Sequence, residues 1–298
     1  MRNRFTRLSV ALTLALEVAL GGAVQASPVV AVAPQYDTSH VYVAPADVDR
    51  FVQSFLATFG GQSTPQVVVN VLPVPSSTSS QLLQTPYGTV SLFGFRTPVP
   101  RPFGAERNGY LVTDLDAAIK AARANGADVI VHDFPDPIGR DVVVQWPGGV
   151  NLQLYWHTAT PKYAAFQSIP ENRVYVSQDR AEAFIKGFLG FSHGRILADD
   201  KQAAGLEIGQ PGGRYRHVSI ESPFGRMAVL VTDGHLPYPF GIDTTGYEVP
   251  DLSTTLAKAT GSGATVLVAP FSSGGRSAAL VQFPGGYVAE IHQLLAGQ

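Results

Sequence analysis

The chain has 298 residues, 45% of them hydrophobic, a formal net charge of −2 and no cysteine. Near-neutral charge without a basic cluster gives nucleic acid no electrostatic footing. The missing thiols exclude disulfides, zinc–thiolate sites and cysteine catalysis.

Residues 1–26 have three parts: a basic start (Arg2, Arg4, Arg7), an apolar run over 8–20, and small residues up to Ala26. This layout predicts a secretory signal cleaved after Ala26. The apolar run is shorter than the ~20 residues that span a bilayer. An exported protein, in a bacterial periplasm and without further membrane association, is the expectation. Residues 27–35 lack periodicity and read as a loose arm.

A first domain is expected over 36–158. A strand at 40–43 leads into a helix capped near Asp47, with Val48, Phe51, Val52, Phe55, Leu56 and Phe59 on one face and Gly60-Gly61 as its stop. Strands follow at 67–72 and 90–95, with a Ser/Pro loop over 73–80 between them. The order then repeats: strand 110–112, helix 115–124, and strands 129–131, 142–144 and 152–155. After a linker at 158–169, a second domain is expected over 170–295. It opens on a strand at 173–176 and a helix carrying Ala181, Phe184, Ile185, Phe188 and Leu189, with strands at 216–220 and 227–231.

The second domain restates the first. Pro100 to Gly104 returns as Pro237 to Gly241, and Gln145-Trp146-Pro147-Gly148-Gly149 returns as Gln282-Phe283-Pro284-Gly285-Gly286. The offset is 137 throughout, and 22 of the 69 positions in 86–154 recur identically in 223–291 without a gap. So long a period marks a duplicated domain and not a solenoid.

Two elements recur in each copy: a strand ending in Asp before a short helix that closes on Gly-Ala (Asp114 to Ala127, Asp251 to Ala264), and a Pro-Gly-Gly turn into the last strand. In these the chain resembles the glyoxalase / bleomycin-resistance / extradiol-dioxygenase family, the vicinal oxygen chelate superfamily. The resemblance implies an α+β fold of two tandem domains, each of paired βαβββ modules whose curled sheets enclose a cleft.

The family's metal enzymes hold a divalent ion with ligands on the first and last strands of the modules. Carried over, that pattern gives His40, Asn108 and Gln153 in the first copy and Arg173, Thr245 and Glu290 in the second. Neither set is complete, and in the second a guanidinium opposes a carboxylate where the ion would stand. Pairing of modules across copies would instead bring His40 to Glu290. Glu290 and His292 share a strand face, making them the best polar pair of the second copy, whereas His217 reads as solvated.

Beside a purely structural or interaction protein, two functions stay open. One is a metal-free binding protein for a small molecule, using His40, Asn108, Gln153, Arg173, Thr245 and His292. The other is a lyase, isomerase or dioxygenase with Zn, Ni, Fe or Mn on His40 and Glu290, Glu290 also moving the proton.

Overall fold

The duplication appears as two sheets in the computed structural model, which describes residues 29–71, 74, 76–104 and 106–295. The expected signal segment lies outside the described residues. The first sheet comes from Thr38–Val43 (β1), Gln62–Ser63 (β2), Val67–Val71 (β3), Ser76–Thr85 (β4), Gly88–Phe95 (β5), Asn108–Leu111 (β6), Asp128–Asp136 (β7), Gly139–Gln145 (β8) and Asn151–His157 (β9). Val48–Phe59 (α1) and Leu115–Ala124 (α2) are its helices. The second sheet holds Glu171–Val176 (β10), Arg195–Ala204 (β11), Arg214–Ser222 (β12), Gly225–Val231 (β13), Thr244–Glu248 (β14), Thr265–Ser273 (β15), Arg276–Gln282 (β16) and Val288–Leu294 (β17). Gln178–Ser192 (α3) and Leu252–Gly261 (α4) belong to it. None of these helices is long and apolar enough to cross a membrane.

The strand orders are β2-β4-β5-β1-β6-β9-β8-β7, with β3 also on β4, and β11-β12-β13-β10-β14-β17-β16-β15. Each sheet is two βαβββ modules joined at their first strands, β1 against β6 and β10 against β14. Modules therefore pair within a copy, in the α+β architecture expected. Two local expectations fail. The Ser/Pro stretch is strand from Ser76 onward, because β3 and β5 flank β4 and satisfy its backbone on both sides. Residues 29–35 are not loose: Val30 and Ala31 are buried, and the backbone bonds to Leu111 and Thr113.

The cores, unlike the sheets, cross between copies. Phe51, Phe55 and Phe59 of α1 pack with Tyr247, Phe283 and Tyr287 of the fourth module. Phe184, Phe188 and Phe191 of α3 pack with Tyr110 and Trp146 of the second. The polar seam between copies is reciprocal as well: Tyr247 donates to Ser39, and Asn172 donates to Tyr110.

The repeated Pro-Gly-Gly turns lock this arrangement. A Cβ on Gly285 would lie 2.5 Å from Val43 Cγ1, and one on Gly148 would lie 2.7 Å from Val176 Cγ1. Both also have positive φ, +87° and +93°, a region costly to residues with a Cβ. Gly285→Ala is expected to cost about 2–3 kcal/mol, combining strain with overpacking. At its neighbour Gly286, φ is +93° but nothing lies within 4 Å of the added atom, so Gly286→Ala should cost only about 1 kcal/mol. Urea denaturation of the two variants checks the difference.

Candidate functional site

Alternation along β1 sends Thr38, His40 and Tyr42 to one face and Ser39, Val41 and Val43 to the other. The second set joins the core and the seam between copies. The first set enters the concave side of the first sheet, where a cavity of about 310 Å³ opens. Phe93, Phe103, Phe134 and Tyr155 give it aromatic walls, and His40, Asp141, Gln153 and His157 bring polar groups. Among the described residues no lysine or arginine lines it. Tyr163 of the linker also reaches it, with its ring 5.4 Å from that of Tyr36.

His40 is buried, and its ring meets Phe93 edge-on at 5.7 Å. Its Nδ1 stands 3.6 Å from Oε1 of Glu106, a carboxylate that is 0% exposed and accepts a hydrogen bond from Tyr42. Its Nε2 lies over Gly109, where an added Cβ would come within 2.6 Å. Burial and the charge of Glu106 both raise the Tyr42 phenol, so it remains a donor. Asp141 is buried beside Gln153. Burial, helped by Asp136, pushes its carboxyl well above the usual range, and the Gln153 hydrogen bond offsets this only in part. Strongly shifted groups in a cleft mark candidate functional sites.

The second sheet's concave side holds charge instead. Arg173 takes the place of His40 there and donates to Glu171 (2.7 Å) and Glu207 (3.1 Å). Arg276 donates to the same two carboxylates at 3.1 and 2.6 Å. Oε1 of Glu290 is 3.7 Å from both arginines, and its Oε2 is 2.7 Å from His292 Nδ1. Tyr215 donates to Glu207 at 2.5 Å, and His217 stands 3.4 Å from it. Burial opposes ionisation of Glu290, Glu207 and Glu171, but the adjoining arginines and histidines outweigh it and hold all three below the ordinary range.

The structure thus brings together Arg173, Glu290 and His292, and separately His40 and Gln153 on the wall of the first cavity. It does not bring His40 to Glu290, which stand in different sheets. Asn108 and Thr245 are absent from both clefts. The cleft-facing positions of their strands are Gly109, beside His40, and Gly246, beside Glu290. Thr245 instead hydrogen-bonds Ser39 at the seam between copies, and Asn108 shares the face of Tyr110 in the core. His217 belongs to the charged network and not to solvent. Glu106 and Asp141 were missed. Glu106 does carry a signal, since the repeat sets Asp243 at its equivalent. Asp141 carries none, because its counterpart is Ala278.

No group of three or more His, Asp or Glu side chains stands at metal-holding distances among the described residues.

No family model and no curated protein matches the sequence. Solved structures do. A variant of 4-hydroxymandelate synthase from Streptomyces coelicolor aligns with TM-score 0.57 at 11% identity, over 88% of this chain and 92% of that one. Homoprotocatechuate 2,3-dioxygenase from Brevibacterium fuscum gives 0.53 at 11%, over 89% and 73%. The Mn(II)-bound glyoxalase from Novosphingobium aromaticivorans gives 0.51 at 13%, over 89% and 83%. At such identities the likeness concerns the fold. The chain shares the fold of these structures, two sheets each of paired βαβββ modules, as the resemblance noted in its sequence implies.

Proposed function

We propose that the protein binds one class of small molecule, uncharged and aromatic, in the cleft of its first domain without a metal ion, and that it does so after export to a bacterial periplasm. The observation that carries this reading is the contrast between the clefts: the first is a cavity with aromatic walls, the second is occupied by two arginines and three glutamates. Aromatic walls with a few convergent polar groups are the usual makeup of a ligand site. Among the described residues no lysine or arginine lines the cavity while Asp136 does, which disfavours an anion.

The donor sets fit a divalent ion poorly. In the second cleft two guanidinium groups stand 3.7 Å from Glu290, where a cation would meet their repulsion. In the first, His40, His157, Asp136, Asp141 and Gln153 line the cavity, but no three of its His, Asp and Glu side chains converge at metal-holding distances among the described residues. Open catalytic sites normally use three good ligands. The fold neighbours named above include a Mn(II)-bound enzyme, so the metal-dependent alternative is tested directly.

Protein purified without chelator should carry Zn, Ni, Fe and Mn far below one equivalent by elemental analysis. One equivalent, lost in His40→Ala, would favour the lyase, isomerase or dioxygenase reading. 2-Naphthol should raise the melting temperature and 2-naphthoate should not. Phe93→Ala should weaken 2-naphthol binding about tenfold, the ~1.4 kcal/mol of one good aromatic contact. Equal responses to the two compounds would remove the charge argument.

A further inference from the structure

We propose that the seam between the two copies binds a monovalent metal ion, sodium or potassium, on the carboxylate of Asp37. The site belongs to the joint between the copies and stands whether or not the first cleft takes a guest.

Asp37 follows the short turn Pro34–Tyr36 in extended conformation and leads directly into β1. Alternation puts it on the face of Ser39, toward the second copy. It is buried, and among the described residues neither Oδ1 nor Oδ2 has a hydrogen-bond partner of good geometry. A buried carboxylate is costly unless a proton or a cation compensates its charge. The chain supplies little of that compensation. Burial pushes the carboxyl well above the usual range, and the Leu111 N–H offsets only part of the effect.

The space beside Asp37 has the size of one small ion. A pocket of about 10 Å³, room for a single water-sized particle, takes oxygens from Asp37, Ser39, Thr89 and Asn172 and is closed by Pro170 and Phe224. Both copies contribute. Asn172 repeats Ser39, and Pro170 repeats Asp37, at the offset of 133 that relates Arg173 to His40. The joint therefore holds one carboxylate where its symmetry would allow two. Ser39 is held by Thr245 and Tyr247. The amide nitrogen of Asn172 donates to Tyr110 at 2.8 Å, which leaves its oxygen for an ion. Among the described residues no lysine, arginine or histidine lines the pocket.

One carboxylate among neutral oxygens balances one positive charge. A divalent ion would keep a charge uncompensated beside Pro170 and Phe224, and calcium takes about six to eight oxygens, more than this lining provides. The test is urea denaturation of the full chain at constant ionic strength, with choline chloride exchanged for sodium or potassium chloride. Choline is too large for the pocket. The midpoint should rise with sodium or potassium, and the steeper response identifies the preferred ion. Above the dissociation constant, each tenfold rise in free ion should add the ~1.4 kcal/mol of a single bound ion. Asp37→Asn keeps the shape, removes the charge and should lose the dependence.

A second readout needs no variant. The protein should broaden the ²³Na resonance, and potassium, but not choline, should reverse the broadening. Equal midpoints in sodium, potassium and choline chlorides would overturn the proposal. So would broadening that choline reverses as well as potassium does, because the ions would then be held only as a diffuse atmosphere. A ¹³C carboxyl shift showing Asp37 protonated in sodium chloride near neutral pH would assign the compensation to a proton instead. Stabilisation by one equivalent of calcium that persists in excess sodium would overturn the choice of a monovalent ion.

Discussion

Arg173→Ala should lower the free energy of unfolding by about 3–5 kcal/mol near neutral pH, the cost of stripping one partner from a buried ion pair. Arg173 is 3% exposed and faces Glu171, Glu207 and Glu290 together. With it gone, Arg276 alone would face three carboxylates in a space from which water is largely excluded. The loss should depend on pH, in a direction the shifts fix. In the wild type the folded-state pKa values of these glutamates lie below the unfolded value of about 4.3. Their contribution is therefore complete above that pH and lost as pH falls through the lower folded values. In the variant, burial without Arg173 raises the Glu290 carboxyl, whose protonation then relieves the strain. The difference between the two proteins should shrink between neutral pH and about pH 4.5, as read by urea denaturation at each pH. A constant difference would mean that lost packing, and not uncompensated charge, is the cause.

Phe55→Ala should cost about 3–5 kcal/mol, the range for emptying a buried aromatic site. Phe55 is fully buried, and its ring centre lies 4.8–6.4 Å from those of Phe51, Phe59, Tyr247, Phe283 and Tyr287. Three of those five rings follow it from other modules or turns of the chain, and Tyr247, Phe283 and Tyr287 belong to the second copy. The two tryptophans of the chain, Trp146 and Trp156, sit in the other shared core. Tryptophan fluorescence therefore reports unfolding at a distance from the substitution. Its urea midpoint should fall together with the far-ultraviolet circular dichroism signal. A fluorescence midpoint that stays fixed would show that the two cores unfold independently.

Most of the fold was legible because its signals are local or repeated. The α1 stripe and the Pro-Gly-Gly turns each declare themselves within a few residues, and the second copy confirms them. Ser76–Thr85 was not legible, because serine-rich strand carries little apolar alternation and gains its place from two neighbours distant in sequence. Arg195–Ala204 escaped for a related reason: it is an exposed edge whose charged side chains hide any pattern.

In the site, His40, Gln153, Arg173 and Glu290 could be found from resemblance and strand position. The error at Asn108 was avoidable. Asn108 lies two residues from Tyr110 and so shares its face, and Tyr110 recurs as Tyr247 in the apolar pattern of both copies. Glu106 approaches His40 only through the loop before β6, and Glu207 reaches the arginines from a short turn at Gly205–Ile208. Neither has a strand register that could have announced it.

The opposite filling of the two clefts sets a stoichiometry. Duplication produced two concave surfaces, yet one is filled by its own ion pairs, Arg173 and Arg276 with Glu171, Glu207 and Glu290. Titration of the full chain should accordingly saturate at one equivalent of guest, half the number its symmetry would allow.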